Sequence, residues 1–152
     1  MRIYVDADAC PVKEEIYRVA KRYELGVFVV SNSAIWVPAR PGIERVVVKG
    51  GLDVADDWIV ERIEAGDVAI TADIPLADRC LRQGAAVLGP RGNPFTEDSI
   101  GEALATRELL DTLRQGGFTK SGPPPFNDKD RSRFLSKLDD IIQAGRRRRP
   151  AP

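Results

Sequence analysis

The sequence predicts an α/β fold: a mainly parallel sheet of five strands with helices on both faces, three layers in all, followed by C-terminal helices. Three observations carry this expectation. Short apolar runs recur at residues 3–5, 27–30, 46–48, 68–70 and 86–88. Helical patterns lie between most of them. The runs are continuously apolar rather than alternating, as strands covered on both faces are. A chain of 152 residues matches one domain and can bury a full core.

Each element can be justified in turn. Ile3-Tyr4-Val5 closes on Asp6 as the first strand. Pro11 stands where a helix favours proline at its start, and Val12, Ile16, Val19, Ala20 and Tyr23 recur at helical spacing up to Leu25-Gly26. The second strand closes on Ser31-Asn32-Ser33. An irregular stretch with Pro38 and Pro41 leads to the third, and Gly50-Gly51 breaks the chain. Asp53 can cap a helix containing Val54, Trp58, Ile59 and Ile63, with Asp56 in a capping-box position. The fourth strand precedes Asp73 and a helix through Leu76, Cys80 and Leu81; the fifth follows Gly84. Beyond Gly89 a helix is expected over about 97–115, then Gly116-Gly117 and Pro123-Pro124-Pro125 as a bracing loop. Phe134, Leu135, Leu138, Ile141 and Ile142 form the apolar face of a last helix. One domain over 1–145 with a frayed basic tail at 146–152 is therefore expected.

The 43% hydrophobic and 30% charged shares are those of a globular protein. No apolar run is long enough to span a bilayer, there is no signal-peptide layout, and two cysteines without zinc spacing suit a reducing compartment; a cytoplasmic protein is expected. The absence of histidine excludes Ser-His-Asp triads, Cys-His dyads and histidine general bases. Net charge is zero, yet residues 118–152 carry +5 and the remainder −5. Such a division lets a basic end attract polyanions while the acids hold cations.

The acids fall where a parallel sheet binds ligands, outside the carboxyl ends of its strands. Asp6 ends the first strand, Asp8 lies in the next turn, and Asp73 follows the fourth strand. Asp56 and Asp57 stand in the first turn of the preceding helix, and Asp78 one turn beyond Asp73. Gathered carboxylates repel and raise one another's pKa unless a cation sits among them, and oxygen-only donors suit Mg²⁺ or Mn²⁺. A metal so held would activate water and clamp a phosphate. Asp53, Asp56, Asp73 and Asp98 serve equally well as helix caps, and Asp78 as a solvated helix face. Asp57 reads as a better ligand candidate than its neighbour Asp56. Ser31, Asn32 and Thr71 end strands at the same edge and could bind a phosphate, or be turn residues only. Lys49-Gly50-Gly51 could cradle a phosphate, although that turn needs glycine in any case. Arg91, Arg107, Lys120, Arg131 and Arg133 could track a nucleic-acid backbone, with Arg146 to Arg149 as an accessory cluster. Trp58 sits at core spacing; Trp36 reads as the exposed aromatic.

Asp6-Ala7-Asp8-Ala9-Cys10-Pro11, Asp53-Val54-Ala55-Asp56-Asp57, Thr71-Ala72-Asp73-Ile74-Pro75-Leu76-Ala77, Gly122-Pro123-Pro124-Pro125-Phe126 and Asp130-Arg131-Ser132-Arg133-Phe134 together resemble the YaiI/YqxD family of uncharacterised bacterial proteins over nearly the whole chain. That family is grouped with PIN-like domains, whose better-known members are metal-dependent ribonucleases with strand order 3-2-1-4-5. The resemblance implies that strands one and four are neighbours and that Asp6 and Asp73 are metal-binding acids, with Asp78 a further partner. Asp57 or Asp56 falls where such nucleases carry a helical glutamate, and Asp8 is an additional acid. The expectation is a Mg²⁺- or Mn²⁺-dependent phosphodiesterase acting on RNA. Its catalytic residues would be Asp6, Asp57 and Asp73; Asp8 and Asp78 would be secondary ligands. Two alternatives stay open: a non-catalytic RNA- or nucleotide-binding module, and a small-molecule phosphatase.

Overall fold

The computed structural model describes residues 1–8, 10–51, 53–115 and 124–148. Its elements in chain order are β1 (Arg2–Asp6), α1 (Lys13–Tyr23), β2 (Gly26–Ser31), β3 (Ile43–Val47), α2 (Val54–Arg62), β4 (Val68–Ile70), α3 (Ile74–Arg82), β5 (Ala86–Leu88), β6 (Pro94–Phe95), α4 (Glu97–Gln115) and α5 (Asp128–Arg148). The sheet order is β3-β2-β1-β4-β5-β6. The first five strands are parallel and in the order implied by the resemblance. β6 pairs antiparallel to β5 and was not foreseen, because two residues give no periodicity to read.

The side-chain alternation of β1 explains the layers. Ile3 and Val5 face α1 and α5, among Ile16, Val19, Phe134, Leu138 and Ile142, while Tyr4 faces the other side with Ile59, Leu76, Cys80 and Ile100. Each face is thus a separate dry cluster, and the strands between are apolar on both sides.

Several boundaries differ from expectation for local reasons. α1 begins at Lys13, two residues after Pro11, and it ends as Glu24 takes a left-handed conformation with the Leu25 amide donating to the Ala20 carbonyl at 2.9 Å. Asp53 precedes α2 but its side chain makes no capping hydrogen bond, so the expected capping box is absent. α5 runs on to Arg148, past the boundary expected at 145, because Ile141 and Ile142 keep it packed on the sheet. Residues 116–123 of the expected bracing loop lie outside the described residues, as do 149–152; at the loop's end the Pro124 carbonyl accepts from Arg91.

α5 is locked in place by ion pairs at its start. Buried Asp130 accepts from Arg91 at 3.0 Å and Arg133 at 3.3 Å, and Arg131 pairs with Glu15 of α1. Gly92, at φ 85°, lets the helix approach: a Cβ there would stand 2.7 Å from the Arg133 carbonyl carbon. No helix among the described residues is long and apolar enough to cross a membrane.

Candidate metal and phosphate site

The chain leaves β1 towards β2 on one side and reaches β4 on the other, so strand order reverses between β1 and β4. Parallel sheets bind ligands above such a point. A cavity of about 250 Å³ opens there, lined by Asp6, Asp8, Cys10, Thr71, Asp73 and Pro90 among others.

Thr71 organises the cavity. It is buried at the end of β4, and its hydroxyl donates to an Asp6 carboxylate oxygen at 2.8 Å while accepting the Asp73 amide at 2.9 Å. Asp73 in turn caps α3, one oxygen accepting the Leu76 amide at 3.0 Å. Capping and lining the cavity are therefore compatible. The second oxygens of Asp6 and Asp73 have no hydrogen-bond partner among the described residues. Burial pushes the Asp6 pKa up; the Thr71 hydroxyl lowers it, and the charges of Asp73 and Asp8 add to the rise.

Asp8 is an exposed rim acid whose carboxylate accepts the Asn32 amide at 3.0 Å and the Ser33 hydroxyl at 3.4 Å. It ties the β1 loop to the end of β2. The Ser31 hydroxyl, in contrast, is buried and donates to the Ser33 carbonyl, within its own turn. Asn32 contributes its backbone amide.

From sequence, Asp57 reads as the helical ligand and Asp56 as a cap; neither is among the residues that line the cavity. Asp57 is turned outward into an ion pair with Arg79 at 2.9 Å. Asp56 lies within reach of the cluster's charges, its pKa pushed up to about 6 by burial first, then by the charges of Asp73, Asp6 and Asp53, against the opposing Arg79. The signal was present: Asp56, Ile59, Val60 and Ile63 follow the i, i+3, i+4, i+7 spacing of an inward face, and Asp57 does not. Asp78 pairs with Arg82 one turn on, at 3.1 Å, and does not line the cavity.

Three of the expected phosphate-tracking arginines are engaged in ion pairs. Arg131 and Arg133, with Arg91, are the ion pairs that hold α5. Lys120 and Arg149 lie outside the described residues, as does the Arg107 side chain. Lys13 is the cation at the cavity loop, donating to the Ala7 and Cys10 carbonyls at 3.4 and 3.2 Å. Cys10 is a neutral buried thiol, its pKa pushed up to about 11 by burial. Gly50 and Gly51 take φ values of 119° and 121°, which accounts for them without a phosphate.

The donors around the cavity are hard oxygens, the kind Mg²⁺ and Mn²⁺ select. Among the described residues no three Cys, Asp or Glu side chains group closely enough to hold an ion between them. The edge instead offers the carboxylates of two residues, Asp6 and Asp73, which Thr71 links by bonding the first's side chain and the second's backbone amide, with Asp8 and Asp56 in electrostatic reach. Two carboxylates and several waters fit Mg²⁺, which rarely occupies an all-protein cage.

Asp56 gives a test of this electrostatic burden in metal-free buffer. Its folded pKa of about 6 exceeds the ordinary value of 3.8, so the folded state binds the proton more tightly and stability falls as pH rises from about 4 through 6. Asp56→Asn is expected to raise stability by about 1 kcal/mol at pH 8, discounted for solvent screening of a half-buried group, and by little at pH 4. Thermal denaturation in EDTA at the two pH values reads the difference; equal shifts at both would remove the burden from Asp56.

Comparison with known proteins bears on the whole chain. The family model described as "Uncharacterized BCR, YaiI/YqxD family" matches residues 4–144. A UPF0178 protein of Rhodopseudomonas palustris (strain HaA2) is 56% identical over 151 residues, covering 99% of this chain and 92% of that protein. A UPF0178 protein of Azorhizobium caulinodans is 59% identical over 140 residues, 92% of this chain and 88% of the relative. One from Parvibaculum lavamentivorans is 57% identical over 148 residues, 97% of each. No solved structure matches. With the family model spanning nearly every element from β1 to α5, the chain belongs to the YaiI/YqxD family.

Proposed function

We propose that the protein is a Mg²⁺- or Mn²⁺-dependent phosphodiesterase acting on single-stranded RNA, with Asp6 and Asp73 as the residues that would hold the metal. The observation that carries the reading is the Asp6–Thr71–Asp73 linkage at the β1/β4 reversal, each carboxylate keeping one oxygen free of hydrogen bonds among the described residues. The resemblance to PIN-like nucleases supports the reading, since it implies acids at these two positions.

When bound, the metal supplies Lewis acidity towards a phosphodiester. The chain's own residues set the frame. Thr71 ties the Asp6 carboxylate to the Asp73 backbone amide, and the Asp73 carboxylate is held by the first turn of α3. Asp56 adds negative charge that attracts a cation, and as a group titrating near pH 6 it can take or give a proton beside the cluster. Lys13, held on the β1–α1 loop, offers a positive charge beside an incoming phosphate.

A second reading, a non-catalytic RNA- or nucleotide-binding module, is favoured by two observations: Asp57 is engaged with Arg79, and no group of three acids among the described residues stands ready for an ion. Incubating the wild-type protein with labelled single-stranded RNA in Mn²⁺, Mg²⁺ or EDTA separates the two. Cleavage with metal and none in EDTA is expected. Binding that survives EDTA without cleavage at any metal concentration would favour the binding module. Hydrolysis of phosphomonoesters with intact RNA would favour a small-molecule phosphatase.

A further inference from the structure

The segment from Asn32 to Gly42 joins two parallel strands without a helix, along the α1 side of the sheet. Ile35 and Val37 pack against that core, which pins the segment and turns the residue between them outward. Trp36 is 74% exposed, a large ring held in water on an anchored backbone. Arg45 of β3 stands next to it, its guanidinium donating to the Ile35 carbonyl at 3.4 Å. Arg40, Arg45 and Lys49 have no acidic ion-pair partner among the described residues, and Glu44 is the one acid between Asn32 and Lys49. This flank is therefore net positive on an otherwise acidic body. It is also tied to the cavity, since Asp8 accepts from Asn32 and Ser33 at the head of the same segment.

An exposed aromatic among unpaired cations is the composition of a single-stranded nucleic-acid platform: bases stack on the ring whatever their sequence, and the cations follow the backbone. A protein-binding patch would instead place further apolar side chains around the tryptophan. We propose that Trp36 and Arg45 form a contact for single-stranded RNA, the indole stacking on a base and the guanidinium meeting a phosphate, so that the strand leads towards the acidic cavity. This rests on the RNA reading of the cavity but is measured apart from cleavage.

The test is binding of a fluorescein-labelled oligouridylate in EDTA, followed by anisotropy and by tryptophan emission. Trp36→Ala is expected to weaken binding about tenfold and to remove the quenching of tryptophan emission, while Trp36→Phe retains most of the affinity. Arg45→Gln should weaken binding and lower the slope of affinity against salt by about one. An abasic ribose-phosphate chain should leave the emission unquenched. No binding by the wild type, or Trp36→Ala binding as the wild type does, would overturn the proposal. So would loss of a concentration-dependent self-association in Trp36→Ala, which would make the ring a protein contact. Cleavage with metal but no effect of Trp36→Ala sinks this contact alone. Trp36-dependent binding without cleavage sinks the metal-dependent reading alone.

Discussion

Asp6→Asn should lower Mn²⁺-dependent cleavage of single-stranded RNA by more than about a hundredfold, since even the hydrogen-bond partners of a metal ligand are worth ten- to hundredfold. The replacement is nearly isosteric, and its amide oxygen can still accept the Thr71 hydroxyl, so packing at the end of β1 should persist. What disappears is a half-buried negative charge whose pKa is already raised by desolvation and by Asp73 and Asp8. Removing it should therefore leave the metal-free protein at neutral pH at least as stable as the wild type. Loss of cleavage together with an unchanged or higher melting temperature is the diagnostic pair, because misfolding would lower both. Asp73→Asn should act alike, since asparagine caps a helix about as well as aspartate. Wild-type cleavage rates in either variant would remove these residues from the catalytic site.

Arg131→Met should cost about 3 kcal/mol, or roughly 10 °C in melting temperature, the largest loss of stability expected of any surface-reaching side chain here. The physical reason lies with its partner. Glu15 is 5% exposed in the first turn of α1, and its second carboxylate oxygen has no hydrogen-bond partner among the described residues. With Arg131 gone, that carboxylate would be buried, charged and uncompensated. Arg131 also lies over the Phe126 ring, 5.2 Å from its centroid, so packing is lost as well. The double variant Glu15→Leu/Arg131→Met should recover most of the loss, as apolar replacements of buried ion pairs often do. Urea denaturation of the two single variants and the double closes the cycle. If Arg131→Met alone cost less than about 1 kcal/mol, the pair would have to be solvated, contrary to the burial of Glu15.

What the sequence made legible followed the strength of each local signal. Five continuous apolar runs announced the parallel strands, and turn residues after them marked the ligand-binding edge, so Asp6, Thr71 and Asp73 could be placed together. Strand order did not follow from the runs; it came from the resemblance, since periodicity carries no information on which strands adjoin. The β6 pairing was too short to register. Asp56 was read mainly as a cap, whereas its helical position sets it among the charges of Asp6 and Asp73 and leaves Asp57 to meet Arg79. The arginines after Pro125 looked like phosphate contacts because a basic side chain reads the same whether it meets solvent, RNA or a buried acid. Arg131 meets Glu15 of α1, which only the fold brings near, whereas Asp130 stands three residues before Arg133 in α5, a helical spacing that was there to be read.

The position of α5 also bears on how the protein is made. Phe134, Leu138 and Ile142 cover the sheet face formed by Ile3, Val5, Val27 and Val29, yet they are the last core residues in chain order. During synthesis the first strands leave the ribosome with one apolar face covered by α1 alone, and the part that α5 covers stays open until that helix emerges. At translation speeds of about 5–20 residues per second, that interval lasts several seconds for a chain of this length. A nascent chain in that state presents the kind of surface that chaperones bind and that drives aggregation. Premature termination before Asp128 would make the exposure permanent, marking the truncated product for degradation.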